Sequence, residues 1–195
     1  MEEGELSAKV AAERDAIIAE IHAAFGDVRR GPTAMSWQQT IAASLYEDVV
    51  AARDFDTDTR WTELVDDETW QPFPGAGGFV YLNVEGFQYY LPPTMIRMLR
   101  LQDRDYLSGA GHLIEELDRF MSDPRSRETH HCTWVYVPTG EPSRVTWTAP
   151  QMRCIARFIS WMGEHDPHLE ISELIWDENP WQAALEVKWK QWLKD

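Results

Sequence analysis

The sequence predicts an α+β fold: one helix-rich domain, residues 1–195, whose helices pack around a small antiparallel sheet with a central hairpin near residues 77–91. Three observations lead there. Segments at both ends place apolar residues three and four apart; the middle stretch "GFVYLNVEGFQYYL" alternates on either side of Glu85-Gly86; and no run rich in Gly, Ser or Pro divides the chain. A length of 195 residues suffices for one sizeable core, and an apolar share of 44% with 12% aromatics suits a folded chain despite 26% charged residues.

The N-terminal helices are expected over residues 5–53. Leu6, Val10, Ile17, Ile18, Ile21 and Phe25 keep helical spacing, with Gly26 as a stop; after the Gly31-Pro32 break, Ser36 caps a second helix carrying Trp37, Ile41, Leu45 and Val49 and fading near Arg53. Thr59 or Asp58 can cap a short turn bearing Trp61, Leu64 and Val65. The hairpin core covers 71–101: a strand from Gly77 to Val84, Glu85-Gly86 as a turn able to take positive φ, a return strand from Phe87 to Leu91, then Pro92-Pro93 opening a helix through Met95, Ile96, Met98 and Leu99. Leu113, Ile114, Leu117, Phe120 and Met121 give a further helical face before Pro124, and "HCTWVYV" and "SRVTWT" read as two short strands. The C-terminal helices are expected over 148–193. Thr148 caps the first, with Pro150 in its first turn and a stop near Gly163; Pro180 opens the second, with Trp181, Leu185, Trp189 and Trp192 on one face.

Residues that could carry chemistry read more simply as structural. Gly75, Gly77 and Gly78 lead into an expected strand, whereas a phosphate loop runs from strand to helix and adds a Gly-Lys-Ser/Thr or GxGxxG pattern that is missing. Of His130, His131 and Cys132, alternation on a strand lets only two share a ligand sphere, too few for a metal. His165 and His168 suit a helix C-terminus, Cys154 sits within an apolar helical pattern, and Glu115, Glu116 and Asp118 suit a solvated helix face. No catalytic residue, metal or cofactor is expected.

Charge is more informative. The chain carries a net charge of −15, which disfavours nucleic acid and anionic membrane and favours a basic protein partner. Between Glu47 and Glu68 stand nine acids against Arg53 and Arg60, a balance of −7, with Trp61 and Trp70 in or beside the run. Seven more acids without Lys or Arg run from Glu164 to Glu186. "DFDTDT" offers alternate carboxylates, but a calcium loop counted from Asp54 would need Gly and Glu where Thr59 and Val65 stand. Partner-binding residues are therefore expected at Asp54, Asp56, Asp58, Trp61, Glu63, Asp66, Asp67, Glu68 and Trp70: carboxylates steer the encounter and a tryptophan fills a pocket. Self-association through the Trp-rich C-terminal helix is a further expectation. An acidic, amphipathic N-terminus, the lack of a long apolar run and only two cysteines point to the cytoplasm.

"ARDFDTDTRWTEL", "FPGAGGFVYLNVEGFQYYLPPTMIRML" and "TAPQMRCIARFISWM", spanning Ala51 to Met162, resemble an uncharacterised bacterial family catalogued as a domain of unknown function, in which D-T-R-W precedes G-F-x-Y-Y-L-P. That resemblance implies no activity, cofactor or site residue. The pattern of helices flanking a hairpin, with "YLPPTMIRML" as strand, prolines and helix, is also distantly similar to the SMI1/KNR4-like superfamily of bacterial immunity proteins, which implies a toxin-neutralising binder. The expected function is thus a noncatalytic immunity protein that occludes the active cleft of a basic toxin. The alternative is a small-molecule-binding enzyme or sensor with a pocket beside the 77–91 hairpin and Tyr81, Tyr89 or Tyr90 at its mouth.

Overall fold

The structure, a computed structural model, describes residues 7–56, 59–72, 78–100, 113–117, 147–169 and 178–194. Every regular element among the described residues is helical and none is a strand, which overturns the expected α+β class and its antiparallel sheet. In order they are α1 (Ala8–Phe25), α2 (Trp37–Leu45), α3 (Val49–Ala52) with a 3-10 turn Arg53–Phe55, α4 (Trp61–Leu64), a 3-10 turn Phe79–Tyr81, α5 (Val84–Leu99), α6 (Ala149–His165) and α7 (Pro180–Ala184). A π-helical turn, Leu185–Trp189, and a 3-10 turn, Lys190–Leu193, continue α7, and residues 113–117 are helical too.

The hairpin near 77–91 is replaced by the Phe79–Tyr81 turn and the start of α5. A nearly continuous apolar run satisfies strand alternation and helical periodicity alike, so spacing cannot choose between them. Asn83 chooses. Its Oδ1 accepts from the Gly86 N–H at 3.0 Å and its carbonyl from the Phe87 N–H at 2.8 Å, the bonds of a helix N-cap. Gly86 therefore lies in the first helical turn and needs no positive φ; among the described residues only Tyr46 and Gly78 have one. Space is what demands glycine there, because a Cβ would lie 2.6 Å from the Met35 carbonyl oxygen.

Pro92 and Pro93, expected at a helix start, sit inside α5 instead. Neither can donate to the carbonyl four residues back, and an internal proline costs about 3 kcal/mol. The helix survives through burial: every residue from Tyr89 to Leu99 is buried, and a fully buried large apolar side chain contributes roughly 1.5–3 kcal/mol. Thr94 adds a hydroxyl bond to the Tyr90 carbonyl at 2.8 Å.

The chain forms two compact units. The first contains α1, the end of α5 from Met95, α6 and α7. Ser7 caps α1, and Ile17, Ile21 and Phe25 face inward. Thr148 caps α6 with Pro150 in the first turn, as the sequence predicts, and Gln151 completes a reciprocal capping box. α1 and α6 are joined by the Arg157–Glu20 ion pair and a bond from Gln151 Nε2 to the Ala24 carbonyl at 3.2 Å. α6 ends at His165, just past the stop expected near Gly163. Gly163 makes room for α7: a Cβ would meet Gln182 Nε2 at 2.8 Å, and its carbonyl accepts from Asn179 Nδ2 at 3.0 Å. Asn179 caps α7, while the Trp181 ring N–H donates to Asp166 Oδ2 at 2.8 Å and packs edge-on against Phe158.

The second unit contains α2 to α4, the Phe79–Tyr81 turn and α5 up to Thr94. Trp37 is its hub, with ring centroids 5.3 Å from Trp70, 5.5 Å from Phe79 and 5.0 Å from Tyr90. The Tyr90 hydroxyl accepts from the Trp37 N–H at 2.9 Å, satisfying a donor that the first turn of α2 leaves open. Gly78, at φ 88, donates to Thr40 Oγ1 at 2.9 Å and opens the 3-10 turn. Tyr89 and Tyr90 are wholly buried in this packing.

The second helix does not reach Arg53. It ends at Leu45, where Tyr46 takes a left-handed conformation (φ 59, ψ 34), and Asp48 caps a separate α3. Several expectations lie outside the described residues: the strand "HCTWVYV", all of "SRVTWT" but Trp147 and Thr148, the glycines Gly75 and Gly77, and Phe120 and Met121 of the middle helix.

Candidate partner-binding site

α2 and the segment from α3 to Gln71 enclose two shallow depressions in the second unit. The first, of about 210 Å³, is floored by Trp37, Ile41, Leu64 and Trp70 and edged by Gln38, Asp56, Asp67 and Thr69. The second, of about 330 Å³, lies between α2 and α3 with Glu47 and Asp48 on its rim. Phe55 borders both.

Trp61 and Trp70 belong to the core, exposed by only 1% and 5%. Trp61 shares its inward face with Leu64 and Val65, and Trp70 stacks on Tyr90 at 6.1 Å while lining the first depression. Asp58 lies outside the described residues. Asp54, Glu63, Asp66 and Glu68 are exposed, whereas Asp67 is half-buried and the Asp56 side chain is only 4% exposed.

Several of these acids have local work. Asp56 Oδ1 accepts from the Gln38 N–H at 3.4 Å and faces Arg30 at 3.7 Å. Asp67 Oδ1 accepts from the Thr69 N–H at 2.8 Å and from its hydroxyl at 2.7 Å. Glu63 reaches back over the start of α4 to the Thr59 N–H at 2.9 Å. That bond, with the Thr59 hydroxyl and the Arg60 N–H, holds the Glu63 carboxyl below its ordinary pKa. Asp48 likewise accepts from the Val50 and Ala51 N–H groups.

Arg53 is turned away from the acids, its guanidinium donating to the Pro32 carbonyl at 2.6 Å and the Ala34 carbonyl at 3.1 Å. Those bonds tie the loop before α2 to the end of α3.

Sequence reasoning missed the apolar members of the surface. Leu45 is 51% exposed, Tyr46 98%, Val50 82% and Phe55 74%. Phe55 differs from Trp61 in its neighbours: Asp54 and Asp56 flank it, and no apolar residue follows at three or four, a signal present in the sequence.

The arrangement offers carboxylate acceptors beside apolar surface. Among the described residues no group of three His, Cys, Asp or Glu is placed to hold a metal ion, and no helix is long and apolar enough to cross a membrane. Cys154 is buried on α6 with its thiol pushed up to about 12, chiefly by desolvation, so it stays protonated and unreactive at neutral pH.

Fold and surface together define an acidic, helix-built protein whose second unit presents a mixed apolar and anionic face. The chain belongs to the family of unknown function DUF6714, whose profile matches residues 13–193. No curated protein and no solved structure matches it.

Proposed function

We propose that this protein is a noncatalytic cytoplasmic binder of a basic protein, an immunity protein that neutralises a toxin by covering its active cleft. The observation that carries this reading is the run of exposed carboxylates in the second unit, Glu47, Asp48, Asp54, Glu63, Asp66 and Glu68, set against an exposed Arg60, while Arg53 is turned to backbone carbonyls. A surface of one sign raises the encounter rate with a partner of the other sign, and like charge turns nucleic acid away. A toxin with a basic active cleft is the partner class such a surface complements in charge; the SMI1/KNR4-like pattern of strand, prolines and helix at "YLPPTMIRML" is a single helix here and lends that choice no support.

The test begins with the neighbouring genes, among which the reading expects a basic toxin domain. Binding of that domain is then followed by stopped flow as salt is varied. Asp54→Lys with Asp66→Lys and Glu68→Lys leaves the capping acids intact and is expected to lower the association rate by roughly tenfold or more at low salt and to flatten its salt dependence. An unchanged rate refutes the steering role, and a neighbourhood without a toxin gene refutes the immunity role.

A further inference from the structure

The buried tryptophans leave the anionic face without the aromatic anchors a lasting complex needs, and the structure supplies others. Of the six large apolar residues exposed among the described residues, four, Leu45, Tyr46, Val50 and Phe55, fall within a single stretch of α2, α3 and the turns after them. Concentrated apolar exposure marks an interaction surface, whereas scattered single residues do not. Phe55 borders both depressions; the exposed carboxylates Glu47 and Asp48 edge the second, while the first is edged by half-buried Asp67 and by Asp56, whose side chain is 4% exposed beside Arg30.

We infer that this strip docks a basic amphipathic segment of the partner, with an apolar side chain seated beside Phe55 over Trp37 and Trp70 and flanking lysines or arginines facing the rim carboxylates. The inference rests on the proposed binding of a basic protein and specifies where and by what chemistry it occurs. Charge complementarity selects the occupant. A purely apolar segment would desolvate the exposed carboxylates of Glu47 and Asp48, and a purely basic one would leave Tyr46, Val50 and Phe55 in water. Steering and anchoring are thus divided between neighbouring residues, carboxylates setting arrival and apolar side chains setting departure.

The experiment uses the full chain and two fluorescein-labelled probe peptides of equal length and charge. One carries lysine and leucine at helical spacing; in the other each leucine is serine. Fluorescence anisotropy is expected to show the leucine peptide binding at least tenfold more tightly than the serine peptide. Phe55→Ser is expected to abolish that difference, and Asp54→Lys with Glu68→Lys to weaken both peptides alike. Tyr46→Gly serves as the second variant, because glycine fits the left-handed backbone better: it is expected to raise the thermal midpoint while weakening the leucine peptide, a loss that unfolding cannot explain.

Equal affinities of the two peptides for the wild type, or an undiminished preference in both Phe55→Ser and Tyr46→Gly, overturn the inference while leaving the anionic reading standing if charge reversal still weakens both peptides. Failure of the leucine peptide to bind, or to respond to charge reversal, overturns both. A concentration-dependent dimer in analytical ultracentrifugation that Phe55→Ser dissociates gives the strip to a second copy and also overturns the inference.

Discussion

Gly86→Ala separates the helix from the hairpin and sets two physical effects against each other. In a helix interior alanine is favoured over glycine by about 1 kcal/mol, so propensity alone predicts a more stable protein. The geometry predicts the reverse. The added methyl would lie 2.6 Å from the Met35 carbonyl oxygen, 3.0 Å from Leu82 Cδ2 and 3.1 Å from Asn83 Oδ1, and the first of these is backbone that cannot swing aside. Overpacking of this kind costs about 1–3 kcal/mol, and moving residues 33–36 away also loosens the bond from the Met35 N–H to Asn83, about 1 kcal/mol more. A net loss of about 2 kcal/mol is expected. For a chain of this size that lowers the thermal midpoint by about 4–8 °C. Urea unfolding followed by tryptophan fluorescence reads it directly, since Trp37 lies one residue beyond the displaced segment. A variant as stable as the wild type, or more so, would refute the close approach of the Met35 segment to α5.

Asn83→Ala removes the α5 cap and leaves the Met35 N–H without its acceptor, for a loss of about 3 kcal/mol in urea; Asn83→Asp keeps both acceptor bonds, gives up only the bond to the Thr33 carbonyl and is expected to lose about 1 kcal/mol. Tyr46→Gly relieves a left-handed tyrosine and is expected to gain about 1 kcal/mol in the same measurement. For Cys154 the folded protein holds its proton above the pH at which the unfolded chain releases it. Stability is therefore full below about pH 8.5 and falls as pH rises toward 12, and at pH 8 a thiol reagent should modify Cys154 only at the rate of unfolding; rapid labelling of the native protein would contradict its burial.

What the sequence made legible was local chemistry. Ser36 and Thr148 cap where the sequence places them, each completed by a glutamine three residues on whose part only the structure shows; Pro180 opens its helix, and α1 and α6 announce themselves by apolar spacing. The failures share a different cause. At α5 the apolar residues are so dense that two periods fit, and only Asn83, bonded to Gly86 on one side and to residues 33 and 35 on the other, decides between them; those last bonds span about fifty residues of chain and leave no trace in local pattern. At Gly86 and Gly163 a glycine read as punctuation is a point of close approach to a neighbouring segment. The acidic run is visible as charge, yet the anchors expected from it, Trp61 and Trp70, are buried, and Phe55, which the charge pattern does not single out, is exposed. Trp61 carries Leu64 and Val65 on its own helical face, a core signature, whereas Phe55 carries none.

The local hydrogen bonds of Asp48, Glu63 and Asp67 do not remove them from recognition, because accepting a bond uses lone pairs and leaves charge in place. Donors at a helix N-terminus favour the ionised carboxylate, which is why Glu63 is held below its ordinary pKa. A folded-state pKa lowered in this way gives stability that is present above the unfolded value of about 4.5 and lost as pH falls through the folded value. The same bonds keep Glu63 charged at pH values where a free glutamate would be partly neutral, so the local fold maintains the field that steers a basic partner. Association of such a partner should therefore weaken on acidification later in Glu63-bearing protein than in a Thr59→Ala variant, which removes the hydroxyl donor. Salt-dependent association rates measured between pH 4 and 6 give the comparison, and coincident pH profiles would show that the cap and the field are independent.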